Sequence, residues 1–308
     1  MPSRTHGTHA INPFTQPGHW FKGSIHIHST ASDGELTPDE VTAWYRDRGY
    51  RFLALTDHRV LSEAHSLADG FIALSGIEWD GIDQEAGLYH LVGLGLQRSP
   101  ELNGGEQVSM QEAANQLRAA GGLVCLAHPY WSGQMSKDLL PLEGCFGLEI
   151  YNGGCEVDDA KGMSTVHWDD LLASGRRLWG VAVDDAHWRE GSKDAGLGWV
   201  WVKAPELTPA AILGALDVGC FYASSGPEIH DLRFDASRDE LSVRCSPAVR
   251  VDFVGSAWHS HRLTALPGRT LTEASYQIKQ GQKYVRVACQ DARGSWAWSN
   301  PLFLGYRK

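Results

Sequence analysis

The chain has 308 residues, of which 43% are hydrophobic and 21% are charged, and 37 acidic against 27 basic residues give a net charge of −10. This composition is that of an ordinary globular protein, and it excludes a collagen, a coiled coil and a disordered chain. Because the acidic balance comes without a basic run, we expect no binding to nucleic-acid polymers or to anionic membranes.

The sequence predicts neither a membrane span nor a secretory signal. No apolar run approaches the ~18 residues that cross a bilayer, and residues 1–18 lack the apolar segment of a signal peptide. The cysteines are scattered and form no CxxC pair; they are Cys125, Cys145, Cys155, Cys220, Cys245 and Cys289. We therefore predict reduced thiols in a cytoplasmic protein, with its oligomeric state left open.

Short apolar runs alternate with helical stretches over residues 22–204. The runs cover residues 23–28, 52–56, 72–77, 89–94, 122–127, 147–151, 178–183 and 199–202. Near-continuous apolar runs of this length are typical of strands that are buried on both faces, as in parallel sheets.

Helix start signals lie between several of these runs. Residues 37–40 form a capping box with Pro38 at the first helical position, and Ser109 with Glu112 forms a second box. Residues 168–173 are predicted as a third helix, and Thr208 with the following proline opens a fourth. Alternating strands and helices predict an α/β barrel or an open α/β sheet.

The pattern changes after Pro227. Residues 232–234, 240–244, 249–254 and 284–288 alternate apolar with polar side chains and are separated by turn residues. This alternation predicts a small antiparallel β-domain of about 80 residues, which we interpret as a sandwich.

Imidazole and carboxylate side chains recur at the predicted carboxyl ends of the strands. They are His26, His28, Asp33, His58, Glu78, His90, His128, Asp185 and His187. In an α/β barrel this edge is the active-site face. Neutral imidazoles with carboxylates suit Zn, Mn, Fe or Co ions, and at three protein ligands per catalytic ion the set would serve three ions.

The motifs His-x-His, Thr-Asp-His, the strand-end Glu, Ala-His-Pro and Asp-x-His resemble, in this order, the PHP (polymerase and histidinol phosphatase) family. The resemblance covers residues 18–225 and implies a distorted seven-stranded, TIM-like β/α barrel with a multinuclear metal centre. Residues 148–152, 221–227 and 296–301 also resemble the branch that contains carbaryl hydrolase, which has a small C-terminal β-domain. We therefore predict a hydrolase domain at 18–226 and a β-sandwich domain at 227–308.

The resemblance also implies how the ligands divide among the ions. One ion would be held by His26, His28, Glu78 and Asp185, a second by Asp33, His58 and His187, and a third by Glu78, His90 and His128. Glu78 would bridge two ions. The family usually has a small residue where Asp184 stands here, and we prefer Asp185 as the ligand because it keeps the Asp-x-His spacing.

Other residues are candidates for catalytic roles around the metals. Asp57 is predicted to orient a ligand histidine, or else to cap its strand. Arg59 would clamp a phosphate oxygen, or else lie in solvent. Glu149 ends another strand at the same face and is placed in the pocket, while Trp131 and its neighbour Tyr130 either wall the pocket or fill the core. His259 and His261 lie in the β-domain, where we expect no metal.

Three divalent ions and three carboxylates would leave a pocket of about +3, which favours an anionic substrate. The first hypothesis is therefore a phosphoesterase that uses two to three Zn, Mn or Fe ions and a metal-bound hydroxide on a small phosphorylated metabolite or nucleotide. The second is a carboxyl- or carbamate-ester hydrolase with the same metal centre. The third is a non-catalytic binding protein.

Overall fold

The computed structural model describes residues 12–101 and 107–304 of the chain. Within these ranges the helices are the 3₁₀ turn Pro13–Thr15, α1 (Pro38–Asp47), α2 (Met110–Ala119), α3 (Ser136–Leu139), α4 (Gly153–Asp159), α5 (Thr165–Ala173) and α6 (Pro209–Asp217). The strands are β1 (His19–Ser24), β2 (Phe52–Ala54), β3 (His65–Ser66), β4 (Ile72–Leu74), β5 (Gly76–Asp83), β6 (Gly87–Leu94), β7 (Leu123–Leu126), β8 (Cys145–Asn152), β9 (Trp179–Val183), β10 (Trp199–Ala204), β11 (Phe221–Ser224), β12 (Ile229–Asp235), β13 (Glu240–Ala248), β14 (Arg250–Gly255), β15 (His261–Thr264), β16 (Leu271–Gln277), β17 (Tyr284–Gln290), β18 (Trp296–Ser299) and β19 (Leu302–Phe303).

The predicted helix starts are confirmed where a side chain caps the first turn. Thr37 and Glu40 form the reciprocal capping box of α1, and the Ser109 hydroxyl accepts a hydrogen bond from the Glu112 amide at the start of α2. Thr208 caps α6 in the same way. These side chains satisfy amide groups that have no partner inside the helix, which is why they locate the starts well.

The strands form a mixed fold rather than a purely parallel one. A five-stranded sheet runs in the order β5-β6-β7-β8-β9, and a larger sheet carries β11-β10-β1-β2-β4 in its middle. The pairs β1·β2, β2·β4, β7·β8 and β8·β9 are parallel, whereas β5·β6, β6·β7 and β1·β10 are antiparallel. The connection from β5 to β6 is too short for a parallel crossover, which needs a dozen or more residues.

The α/β class is confirmed, but a closed seven-stranded barrel is not seen. In the described part of the chain, the two large sheets are joined by isolated bridges, Ile27 to Ala186, His58 to Glu78 and Ser62 to Gly76, instead of by a continuous ladder. Gly76 marks the passage from β4 into β5. A Cβ atom there would lie 2.4 Å from the Leu55 carbonyl oxygen, so the close approach requires glycine.

The antiparallel strands predicted after Pro227 are present as β12, β13, β14 and β17. The sheet β12-β13-β16 packs on β14, β17 and β18 across one shared apolar core, which includes Leu241, Val251 and Val287. The large sheet continues across the predicted domain boundary, because β18 pairs with β11. The division at residues 226 and 227 stays a prediction.

No helix in residues 12–101 and 107–304 is both long and apolar enough to cross a bilayer. The cytoplasmic location stays a prediction.

Candidate metal centre

All the side chains that we predicted as metal ligands come together where the two large sheets meet. His26, His28 and Asp33 follow β1, and His58 follows β2. His128 follows β7, and Asp185 and His187 follow β9. These segments lie beyond the carboxyl ends of their strands, as expected for the functional edge of an α/β fold.

The predicted position of Glu78 at a strand end is wrong. Glu78 lies near the start of β5, and His90 lies in the middle of β6, on the antiparallel hairpin that these strands form. The hairpin reaches the site because the chain leaves the larger sheet after β4 and enters the five-stranded sheet at Gly76, where β5 begins. Local sequence does not distinguish this crossing from a strand that ends.

Glu78 is the centre of the cluster and is 1% exposed. Its Oε2 atom lies 3.3 Å from His26 Nε2, 3.2 Å from His28 Nε2 and 3.3 Å from His58 Nδ1. Its Oε1 atom lies 2.8 Å from His90 Nδ1 and 3.4 Å from His128 Nε2. One buried carboxylate is therefore surrounded by imidazoles from separate segments of the chain.

Ligand atoms within 4.8 Å of one another form three overlapping groups in the described chain. The groups are His26 with His28, Glu78 and Asp185; His28 with Asp33, His58 and His187; and His58 with Glu78 and His90. The first group has the same members as the set expected for one ion. The second adds His28, and the third holds His58 in place of His128, whose Nε2 lies 3.8 Å from Asp185 Oδ2.

The two adjacent aspartates face different surroundings. Asp185 Oδ1 lies 3.2 Å from His26 Nε2 and 3.0 Å from His28 Nε2. Asp184 instead accepts hydrogen bonds from the Tyr45 hydroxyl and from the amides of residues 196, 197 and 198. Asp184 therefore anchors the chain that leads into β10, and Asp185 is the one that faces the imidazoles.

The buried charges shift one another's pKa values strongly. Burial opposes protonation of His26, but Asp185, Glu78 and Glu149 raise its pKa well above the usual 6.5. Burial acts against ionisation of Glu78, and His26 and His90 outweigh it and hold the pKa of Glu78 well below its usual value. A cation that binds here must therefore displace protons from imidazoles.

The arrangement of the donor atoms in the cluster fits a metal ion. His26 Nε2 and His28 Nε2 face each other at 3.2 Å. His58 Nδ1 and Asp185 Oδ1 are buried and make no hydrogen bond, although imidazole or carboxylate atoms lie close by. Because a buried polar atom normally has a partner, the unpartnered His58 Nδ1 and Asp185 Oδ1 atoms indicate a site for a cation.

Backbone strain is concentrated around the cluster. Arg59, His128, Asp185 and Trp188 have φ values of 58°, 22°, 54° and 64°, in or near the left-handed region that side chains rarely adopt. The indole of Trp188 donates to the His28 carbonyl oxygen. Strain of this kind persists where the surrounding structure holds it, and such residues cluster at functional sites.

Glu149 lies behind a candidate ligand, and it is not among the residues that line the pocket. Its Oε1 atom is 2.6 Å from His26 Nδ1, and its Oε2 atom accepts from the His128 amide and from Asn152 Nδ2. Because a carboxylate can only accept, His26 Nδ1 carries a proton and Nε2 is left to face the cluster. Asn152, which ends the same strand, also donates to Asp185 Oδ2 at 3.0 Å.

Replacing Glu149 with glutamine is expected to weaken metal binding by about 10- to 100-fold, because the amide disturbs the bonds that orient His26. The affinity is measured by competition with a chelator, and the fold by circular dichroism. The exposed Glu143, substituted in the same way, is the control. Equal metal affinities of the Glu149 and Glu143 variants would show that Glu149 does not position His26 for metal binding.

Asp57 holds a loop and not a histidine. Its carboxylate accepts from the Ser29 amide and hydroxyl and from the Ser32 hydroxyl, each at 2.8 Å. These bonds shape the turn that carries Asp33. The expected orientation of a ligand histidine by Asp57 is therefore replaced by orientation of the Asp33 loop.

Arg59 is bound by a residue that sequence analysis missed. Its guanidinium makes two bonds to the Asp80 carboxylate, at 2.7 and 3.2 Å. Asp80 is also 3.3 Å from His58 Nδ1; burial raises its pKa, but His58 and Arg59 lower it to about 2. The signal was available, since Asp80 and Glu78 are two residues apart and share one face of β5.

The cluster opens into a cavity of about 160 Å³. Trp131 forms one wall, with its ring 5.0 Å from that of His128, and its indole donates to Asp159. Arg189 also lines the cavity, and its guanidinium lies 3.3 Å from Asp33 Oδ2. Tyr130 is 44% exposed and is not among the lining residues. Of the two aromatic candidates, Trp131 is therefore the one that reaches the site.

His259 and His261 take no part in this cluster. His259 Nδ1 lies 3.2 Å from the Ser256 carbonyl oxygen, and the ring of His261 stacks on Tyr276. Their His-x-His spacing lies in the C-terminal strands, away from the candidate ligands.

The sequence matches no protein-family model and no curated protein. Among solved structures, the chain is similar to a two-domain protein from Bacteroides vulgatus that contains a predicted PHP-like metal-dependent phosphoesterase. The TM-score is 0.52 at 16% identity, over 96% of this chain and 98% of that chain.

Two further structures are similar only over part of the chain. An amidohydrolase from Chromobacterium violaceum has a TM-score of 0.42 at 19% identity, over 54% of this chain and 87% of that chain. A lesion-specific endonuclease from Pyrococcus furiosus has a TM-score of 0.44 at 14% identity, over 65% of this chain and 56% of that chain. TM-scores below 0.5 support no inference about this chain. The resemblance of residues 148–152, 221–227 and 296–301 to the carbaryl hydrolase branch stays a prediction. The chain therefore has the fold of the PHP-like protein from Bacteroides vulgatus, in agreement with the family that its ordered motifs resemble.

Proposed function

We propose that this protein is a metal-dependent hydrolase, and specifically a phosphoesterase that cleaves a small phosphorylated metabolite or nucleotide. The observation that carries the proposal is Glu78, a buried carboxylate in contact with imidazoles from five positions. The PHP motifs support it, as does the shared fold with a protein described as containing a predicted PHP-like phosphoesterase.

The chain would hold two to three divalent ions of zinc, manganese or iron. The candidate ligands are His26, His28, Asp33, His58, Glu78, His90, His128, Asp185 and His187. Their mixture of imidazole and carboxylate suits these borderline ions. Such ions supply Lewis acidity and make water a nucleophile near neutral pH.

The residues of the chain prepare the site for an anion. Glu149 and Asn152 bond to His26 and Asp185 from behind, so His26 Nε2 and Asp185 Oδ1 face each other at 3.2 Å. Asp57 holds the Asp33 loop in place. Arg189 is an arginine among the residues that line the cavity and would bind a phosphate oxygen, and Trp131 offers an aromatic wall to the leaving group.

Acidic side chains in the cavity wall favour a small substrate over a long polyanion. The cavity of about 160 Å³ has room for a phosphate group. Asp158 and Asp159 also line the cavity, and their negative charge would repel a long polyanion. This supports the prediction that a nucleic-acid polymer is not the substrate.

The proposal is tested on protein loaded with Mn²⁺ or Zn²⁺, with metal content measured by mass spectrometry. The substrates are an aryl phosphate, an aryl phosphodiester, an aryl acetate, an aryl carbamate and a DNA oligonucleotide. We expect two to three ions per chain and the highest kcat/KM on one of the aryl phosphates. Faster cleavage of the acetate or carbamate would replace the phosphoesterase by a carboxyl- or carbamate-ester hydrolase, and fully loaded protein that cleaves nothing would indicate a binding protein.

A further inference from the structure

One wall of the metal cavity is an indole that closely follows a candidate ligand in the chain. Trp131 comes three residues after His128 and lines the cavity. A turn joins the two, closed by a hydrogen bond of 3.1 Å from the Ser132 amide to the His128 carbonyl oxygen. The Ser132 hydroxyl also lies 3.3 Å from His128 Nδ1. The turn therefore keeps residue 131 beside the metal ligands.

The indole stands across two candidate ligands instead of stacking on them. Its ring centre lies 5.0 Å from that of His128 and 5.6 Å from that of His90, at interplanar angles of 79° and 71°. Over the described ranges, 12–101 and 107–304, no aromatic ring stacks parallel on Trp131. A flat ring of a bound ligand can therefore take the stacked arrangement, which aromatic pairs favour.

The orientation of the indole is set by a carboxylate on α4. The Nε1 atom of Trp131 donates to Asp159 Oδ2 at 2.8 Å, and a hydrogen bond to a charged acceptor is about twice as strong as one between neutral groups. Asp159 ends α4, and Asn152 both caps the start of this helix and donates to Asp185 Oδ2. The helix therefore links the indole to a metal ligand.

The neighbouring Asp158 has the same charge and a different partner. It also lines the cavity, but its Oδ1 atom accepts from the Ser192 hydroxyl at 3.3 Å. Of the two aspartates, Asp159 is the one that bonds to the Trp131 indole. A comparison of the two residues therefore separates an effect of charge at the cavity wall from an effect of ring orientation.

We propose that Trp131, positioned by Asp159, makes this site selective for phosphate esters that carry a flat aromatic ring on the ester group. The inference rests on the proposed phosphoesterase and names its class of substrate. A phosphate bound at ions held by His90 and His128 lies next to the indole, whose ring centre is within 5.6 Å of both imidazoles. A saturated ester group fills the same space but cannot stack. Trp131 would contact the substrate, whereas Asp159 acts through Trp131 and is a positioning residue.

The test measures binding separately from hydrolysis, on full-length protein loaded with Mn²⁺. Benzylphosphonate and (cyclohexylmethyl)phosphonate, which have no ester bond to cleave, are compared by calorimetry. They have the same charge and a similar size, but only the first has a flat ring. We expect benzylphosphonate to bind about 3- to 10-fold more tightly. Benzyl phosphate should show a KM lower by the same factor than that of cyclohexylmethyl phosphate, at a similar kcat.

A second pair of esters identifies the source of the ring. Adenosine 5′-monophosphate and ribose 5-phosphate have the same reacting phosphate and differ by the adenine ring. A lower KM for the nucleotide that depends on Trp131 would assign the site to nucleotides. A preference confined to the benzyl pair would assign it to esters whose aromatic ring lies close to the phosphate.

Four variants separate the indole, its orientation and the charge of the wall. Trp131→Ala is expected to bring the affinity ratio of the two phosphonates to about 1, with the metal content retained by mass spectrometry. Asp159→Ala is expected to reduce the ratio, and Asp159→Asn to keep it, because the amide oxygen still accepts the indole N–H. Asp158→Ala removes the same charge and is expected to keep the ratio.

Equal affinity of the wild-type protein for the two phosphonates would overturn the proposal, as would binding of neither or a preference that survives in Trp131→Ala. Equal losses in Asp158→Ala and Asp159→Ala would assign the effect to charge and overturn the role of Asp159. Cleavage of the phosphate esters without preference would refute the selectivity and leave the phosphoesterase standing. Preferential binding of benzylphosphonate without cleavage of any phosphate ester would support the selectivity and refute the phosphoesterase.

Discussion

Replacing Glu78 with alanine is expected to lower the metal bound per chain and to reduce hydrolysis by more than about 100-fold. Loss of residues that merely orient metal ligands already costs 10- to 100-fold, and Glu78 itself contacts five imidazoles. Metal content is measured by elemental mass spectrometry and activity on the best substrate of the panel. His128→Ala is expected to act in the same direction, because His128 Nε2 lies 3.4 Å from Glu78 Oε1.

The isosteric variant Glu78→Gln tests whether metal binding depends on the charge of Glu78 or on its shape. It keeps the volume of the buried side chain while removing the anion, so we expect the same loss of metal with the fold retained by circular dichroism. His259→Ala is the control, since its ring lies in the C-terminal strands, and it should keep both metal and activity. Unchanged metal content in the Glu78 variants would refute the assignment of the site.

Replacing Arg286 with alanine is expected to reduce the free energy of unfolding by about 2–3 kcal/mol. Arg286 is 4% exposed and makes two bonds, at 2.8 and 2.6 Å, to the Asp169 carboxylate on α5. Breaking a fully buried pair costs roughly 3–5 kcal/mol. We expect somewhat less here, because the Asp169 side chain is 29% exposed and keeps its bond from Tyr284.

Urea unfolding of both proteins measures this difference. Arg293→Ala is a matched control, since Arg293 is 78% exposed in its pair with Asp291 and should change the free energy by no more than about 0.5 kcal/mol. If the two arginine variants were equally stable, β17 and α5 would not be held together by this ion pair. The expected difference would show that the C-terminal strands and the α/β part support each other.

The sequence predicted best where a local interaction decides the structure. The capping side chains of Thr37, Ser109 and Thr208 bond to amides three residues away, so they mark helix starts whatever the rest of the fold does. The start of α4 was missed because Gly153 and Gly154 follow Asn152 directly. Those glycines let the helix approach the residues that follow β9, and the Gly154 amide donates to the Asp184 carbonyl oxygen.

Predictions were weaker where a residue's role depends on which other segment lies beside it. Glu149 was expected in the pocket and Asp57 was expected to orient a ligand histidine, yet Glu149 bonds behind His26 and Asp57 bonds to serines. Arg59 faces Asp80 across a bond that spans 21 residues of sequence. The periodicity and spacing of a sequence do not predict such hydrogen-bond partners, because the partners lie on segments that come together only in the folded chain.

The sequence alone determined the kinds of ligand, their order along the chain and the change to antiparallel strands after Pro227, since these depend on residue type and on spacing within a few residues. Only the tertiary structure decided that Glu78 is central, that Asp185 and not Asp184 faces the imidazoles, and that β18 joins β11 in one sheet. Those outcomes depend on the crossing from β4 to β5 and on strand pairing over long separations. Strand pairing and the burial of side chains depend on the whole chain, so a short stretch of sequence does not determine them.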